Sequence, residues 1–340
     1  MYSILSTTKS KTMKQYLSAA IAFVLVQMSA SIAQGAEVKV TPLGSHDGEF
    51  CLFDRAFVFE DPNGTRILYD VGRTVSGAED SRLGDIDVVL LSHVHGDHLG
   101  DKHIPRVNAG ECGSPDVSVN ATPLSNTVNI AVAKDAKIAV GSEMNSFLSK
   151  KVEAAGGDPT SVELVRFGAE VEVGGVKITT VPAVHSNGLS GEFIPGELGE
   201  HLSEAGLTAY VGPPTGYILT FTNGLVVYLS GDTGVTAEQE TVVEDLYNAS
   251  LVIINIGDTF TTGPTEAAFV INELIEPVSV IPSHANEAAT EGGEVIPGTK
   301  TKEFIDATVF PVYTPLSGET MEFDGLGACV AGCENVFLPK

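Results

Sequence analysis

The chain has 340 residues, 43% of them hydrophobic, with 36 glycines, no tryptophan and a formal net charge of −25. That is a globular composition, with material for one large domain or two ordinary ones. A field so negative repels phosphate backbones and argues against long nucleic acid as a partner.

The N-terminus carries Lys9, Lys11 and Lys14, then an apolar run from Leu17 to Met28, then the small-residue stretch SASIAQGAEV. Basic, apolar and small segments in that order read as a secretory signal peptide over residues 1–36, cleaved after Ala33 or Ala36, with Met13 as an alternative start. The apolar run falls short of the ~20 residues a spanning helix needs. The expectation is an exported chain, periplasmic or secreted, free of the membrane after cleavage, with one domain over residues 37–340. Its charge is then −28. Cys51, Cys112, Cys329 and Cys333 form an even set that reads as disulfides in an oxidising compartment, and three connectivities are open. CVAGC at 329–333 can close on itself or reach back.

The mature chain opens with strand-like runs, VKVTPLG, CLFDRAFVFE and TRILYDVG, the last two joined by an Asp61-Pro62-Asn63-Gly64 turn. DIDVVLLS follows. Residues 100–136 are polar and aperiodic, an irregular insertion of the kind that borders sites. KIAVGS reads as a strand and EMNSFLSKKVEAAGG as a helix ending at glycine. VEVGGVKITTVPAVH and TGYILTFTNGLVVYLSGDTG read as hairpins, with a second irregular segment at 187–214 between them. TAEQETVVEDLYNA is helical, LVIINIGD a strand, PTEAAFVINELIEP a helix with proline in its first turn, and VSVIPSH a strand. The order predicts an α+β domain with mainly antiparallel pairing, two sheets and helices outside.

Four of these strands end in metal-binding residue types: HVHGDH at 93–98, His185, Asp232 and His284. In an extended strand end His93 and His95 point to one face. Gly96 permits a sharp turn, after which Asp97 and His98 reach nearly the same space. Two imidazoles for one ion, with a carboxylate and an imidazole for its neighbour, suit borderline divalent metals.

HVHGDH, followed in order by VPAVHS, SGDTG and IPSHANE, resembles the metallo-β-lactamase superfamily over roughly residues 38–307. GPPTGYILTFTNGLVVYLSGDTG and IGDTFTTGPTEAA look most like its branch of metal-dependent hydrolases grouped with ascorbate-6-phosphate lactonase. The resemblance implies a four-layer αββα sandwich with two divalent ions at one edge of the sheets. It implies that His93, His95 and His185 bind the first ion, that Asp97, His98 and His284 bind the second, and that Asp232 bridges them. Asp70, in ILYDVG, then orients a histidine from behind. Zinc suits the imidazoles; manganese or iron also suits the carboxylate-rich half.

The implied chemistry is hydrolysis of a small ester-like bond, with a metal-bridging hydroxide as nucleophile and Asp97 as the catalytic carboxylate. A lactone or phosphoester is favoured, because an aspartate rather than a cysteine stands at 232. A β-lactam or other carboxylic ester is the alternative, as is an exported metal-binding protein without catalysis, which would have lost Asp97. A redox di-iron centre would call for glutamate at 95. The expected partner is a small-molecule substrate, and a homo-oligomer is left open. Ser186 and Asn187 are candidates for substrate contact, and Tyr210 and Tyr217 for a hydroxyl facing a developing oxyanion. His46, His103 and His201 read as loop or surface histidines.

Overall fold

The structure, a computed structural model, describes residues 36–338. The stretch read as a signal peptide lies, Ala36 apart, outside the described residues. β1 (Val38–Pro42), β2 (Phe57–Glu60), β3 (Arg66–Tyr69), β4 (Val88–Leu90), β5 (Lys137–Val140) and β6 (Val162–Leu164) begin the first sheet. β7 (Glu170–Val173), β8 (Val176–Pro182), β9 (Thr215–Thr220), β10 (Val226–Leu229), β11 (Leu251–Asn255), β12 (Ser279–Ser283) and β13 (Val312–Tyr313) run side by side in that order in the second. The C-terminal segment serves both. β14 (Met321–Phe323) and β15 (Cys329–Ala331) extend the first sheet beyond β1, and β16 (Val336–Phe337) pairs with β13 at the edge of the second.

Pairing is mixed rather than mainly antiparallel. β1 to β3 and β7 to β10 form antiparallel meanders, whereas β3 to β6 and β10 to β13 run parallel. Parallel neighbours need a crossover, usually helical; β3 and β4 are joined by an irregular stretch, residues 70–87, and helical segments join the rest. In the first sheet α1 (Gly96–Leu99), α2 (Asn126–Ala133) and α3 (Met144–Ala154) do so. α4 (Glu197–Ala205) lies between the hairpins of the second sheet. α5 (Pro264–Phe269), continued by a wider turn through Val270–Ile275, and α6 (Lys300–Ala307) serve its parallel half. The helix expected around residue 240 is a short wide turn, Gln239–Glu244.

Three buried clusters define four layers. Phe57, Phe59, Ile67 and Val88 meet Ile178, Leu219, Val227 and Ile253 between the sheets. Their strand neighbours Val58, Leu68 and Val89 pack outward on Val128, Leu148 and Val152 of α2 and α3. On the far side Ile218, Tyr228, Val252 and Val280 pack on Ala267, Ile271 and Phe304. Each central strand is thus covered on both faces, and so LVIIN and VVL are continuously apolar rather than alternating. The architecture is the αββα sandwich. Both disulfides are now assigned: Cys51–Cys112 pins the first long insertion to the approach to β2, and Cys329–Cys333 closes the short loop at β15.

Candidate metal centre

β3, β4, β8, β10 and β12 finish at the same edge, and the side chains just beyond their ends converge there. After β4 the chain stays extended. Val94 packs into the core, so His93 and His95 on either side of it face the site together. α1 then projects Asp97 and His98. The chain does turn at Gly96, from extended His95 into α1, but not by means of a left-handed φ. A Cβ there would stand 2.7 Å from the Asp101 carboxylate. His284 does adopt the left-handed region, at φ 51°, a conformation that costs energy for a non-glycine residue and clusters at functional sites.

The seven expected side chains fall into three overlapping groups: His93, His95 and His185; His93, His98 and Asp232; and Asp97, His98 and His284. His93 Nε2 is 2.9 Å from His95 Nδ1, and His185 Nε2 is 3.3 Å from the same nitrogen. A tetrahedral ion bonded to nitrogen at about 2.0–2.1 Å places its ligands about 3.3 Å apart, so the first group suits a metal. Asp232 reaches toward all sides. Its Oδ2 lies 3.8 Å from His93 Nε2, 3.7 Å from His185 Nε2 and 3.3 Å from His284 Nε2, and its Oδ1 lies 3.3 Å from His98 Nε2. Asp232 Oδ1 and both His284 nitrogens are buried without a hydrogen-bond partner, atoms that a cation would satisfy.

Behind the cluster, Asp70 accepts from Ser92 N at 2.8 Å and Ser92 Oγ at 2.7 Å, and its Oδ2 is 2.8 Å from His98 Nδ1. That contact fixes the His98 ring with Nδ1 toward Asp70 and Nε2 turned inward to the site. Burial pushes the His93 imidazole well below its ordinary value and lowers His95 and His185 too. At His98 burial acts the same way, but Asp232, Asp70 and Asp97 outweigh it and raise that imidazole to about 10. Burial opposes charge on Asp97 and Asp232, yet the first, beside Arg55 and His98, and the second, beside His284 and His98, are held well below the usual carboxylate range. Ionised carboxylates and the unprotonated imidazoles of His93, His95 and His185 are forms that bind metal, whereas His98 has to give up a proton before an ion can bond its Nε2.

Over the cluster opens a cavity of about 710 Å³, lined by His95, Asp97, His185, Asp232 and His284 at its floor and by Phe53, Arg73, Ser186, Thr259, Phe260 and Asn286 around them. Arg73 donates to both oxygens of Asp101 at 2.7 Å and lies over the Phe53 ring. Ser186 does reach the site, its Oγ 3.3 Å from His95 Nε2. Asn187 does not line it: its amide accepts from Val94 N and donates to Gly212 O, bracing the histidine strand from outside. Tyr217 is buried between the sheets against Leu91 O and Ala139 O, and Tyr210 is exposed on a short two-stranded ribbon. His46 contacts Ser45 Oγ and Gly110 O, His103 contacts Ile104 O, and His201 is exposed beside Glu204.

Arg55 is the residue that motif reading missed. It is 2% exposed and donates through Nη1 to Asp97 Oδ2, with the same nitrogen 3.2 Å from His98 Nε2. Its only signal is a charge placed immediately before the apolar strand of FDRAFVFE.

A family model described as a beta-lactamase superfamily domain matches residues 52–284. The chain belongs to the metallo-β-lactamase superfamily. Relatives of this superfamily member include a UPF0173 metal-dependent hydrolase of Roseiflexus castenholzii, 30% identical over 67% of this chain and 78% of that protein. Another, from Koribacter versatilis, is 27% identical over 66% of this chain and 77% of that protein. Among solved structures, the metallo hydrolase Igni18 of Ignicoccus hospitalis superposes with a TM-score of 0.56 at 21% identity, covering 85% of this chain and 99% of that one. The metallo-β-lactamase fold protein YhfI of Bacillus subtilis superposes at 0.52 and 16% identity, covering 84% and 99%. The structural likenesses carry the fold. The matching family and its relatives make this superfamily member a metal-dependent hydrolase.

Proposed function

We propose that this hydrolase is an exported, dinuclear enzyme that cleaves a lactone or phosphoester of a small molecule. The observation carrying the reading is the convergence of three overlapping ligand groups on the floor of one cavity of about 710 Å³. His93, His95 and His185 would hold the first ion, Asp97, His98 and His284 the second, and Asp232 both. Divalent ions, zinc by preference for the imidazoles, supply Lewis acidity and an acidified water near neutral pH.

The protein's own groups do the rest. Asp97 is the one carboxylate of the cluster that is partly open to the cavity, with a side chain 27% exposed. Kept ionised by its neighbours, it accepts the proton of the attacking water and delivers it to the leaving oxygen. Asp70 and Ser92 fix His98, and Ser186 steadies His95 at the rim. Phe53 and Phe260 provide apolar walls for the body of a substrate. Arg73, its charge matched by Asp101 through Nε and Nη2, lines the cavity with its remaining guanidinium nitrogen as a donor for an oxygen-rich end, which supports a lactone or phosphoester. The basic-apolar-small order of residues 1–36 supports export.

The test is initial rates of the mature, metal-loaded protein on a simple lactone and on a phosphodiester, beside Asp97→Asn. One substrate should turn over, and the variant should lose about 10²-fold or more in kcat, the scale of a positioned acid–base group. Two bound metals with no turnover of either substrate would reject the assigned bond classes.

A further inference from the structure

Three facts about Arg55 belong together. Its guanidinium contacts Asp97 Oδ2 and His98 Nε2, two of the three atoms assigned to the second ion. It does not line the substrate cavity and is almost wholly buried, so its partner is the centre rather than a substrate. Apart from Nε, which donates to Phe53 O at 3.1 Å, those two ligand atoms are what hold it: Nη2 is buried without a partner.

The distances bring guanidinium and ion into conflict. Asp97 Oδ2 and His98 Nε2 are 3.9 Å apart. An ion bonded to both at about 2.1 Å must lie almost on the line between them, and so within about 3 Å of Arg55 Nη1. A dication and a guanidinium cannot share that space, since both are cations and the nitrogen has no lone pair to offer. The void behind Arg55, bordered by Tyr69, Asp70, Ser230, Asn255 and His284, amounts to about 10 Å³, room for one water and not for a guanidinium. The first ligand group is free of this conflict: Arg55 touches none of His93, His95 or His185.

We propose that Arg55 is a built-in competitor for the second metal position. The centre binds one ion tightly through His93, His95 and His185, and accepts a second only by displacing the guanidinium from Asp97 and His98. The inference rests on the metal-centre reading above and makes its two halves unequal.

The experiment needs no substrate. The full mature chain is stripped with chelator and titrated with buffered Zn²⁺. Bound metal is counted by plasma mass spectrometry, and a parallel Co²⁺ titration is followed by visible absorption. Wild type should bind its first equivalent about a hundredfold or more tighter than its second. Arg55→Met keeps an unbranched stem but removes charge and donors. It should leave the first affinity within about threefold and strengthen the second by about tenfold or more. Two equivalents of like affinity in wild type would overturn the proposal, as would a second equivalent unchanged or weakened in Arg55→Met. If that variant fails to fold, the wild-type titration decides alone. Absence of any tight equivalent would instead remove the metal-centre reading, so the two failures are distinguishable.

Discussion

Asp70 sits at φ 42°, beyond the end of β3, and serves Ser92 and His98 with its two oxygens. An asparagine there would turn an amide nitrogen toward one of those donors, so His98 would lose its fixed orientation. Asp70→Asn should lower metal affinity by about 10–100-fold with little loss of fold, which competition against a chromogenic chelator would measure. Proton competition is set by the first ligand group. Because the pKa values of His93, His95 and His185 are lowered, these imidazoles remain unprotonated below the ordinary value of about 6.5. The tight metal should therefore survive dialysis at pH 6 and be released only in more acid buffers, as metal analysis across a pH series would show. The candidate ligand cluster was legible because its members close apolar runs, a pattern visible in one dimension. Arg55 was not, since its partners lie some forty residues away and a single arginine before a strand carries no spacing.

At the scale of elements, β1 to β5 and β7 to β12 were readable; β6, the short β13 to β16 and the strands' partners were not. Apolar runs mark where a strand lies, but whether its neighbour runs parallel depends on the crossover, which local pattern does not encode. α2 and α4 were hidden inside segments read as irregular. In α2, asparagine and threonine occupy the first turn and are themselves buried, so no polar face alternates with an apolar one. In α4 Leu198, Leu202 and Ala205 do recur at helical spacing, but the helix buries only Gly199, and its short apolar edge was passed over within a polar, glycine-rich segment. α2 nevertheless carries a start signal in Ser125, whose hydroxyl accepts from Val128 N at 3.1 Å. Ser125→Ala should cost about 1 kcal/mol, measured by denaturant unfolding, with metal content unchanged.

For the whole molecule, the two disulfides have unequal reach. Cys51–Cys112 spans 61 residues of sequence and Cys329–Cys333 only 4. On loop-closure entropy the double variant Cys51→Ser, Cys112→Ser should lose about 4 kcal/mol, and the C-terminal pair about half as much, both measured by denaturant unfolding in non-reducing buffer. Sequence reading left the connectivity open because pairing is decided by which loops the fold brings together. The smaller bridge has a consequence beyond its own energy. β15 finishes the outer border of one sheet and β16 that of the other, and the bridge closes the chain between them. One short tail therefore hems both fabrics at once. Unpicked, it would bare two rows of unpaired backbone amides and carbonyls, each a template for a neighbouring chain. None of the seven candidate ligand side chains lies in that tail, so a clipped molecule would keep its candidate metal centre and open two borders to strand pairing instead.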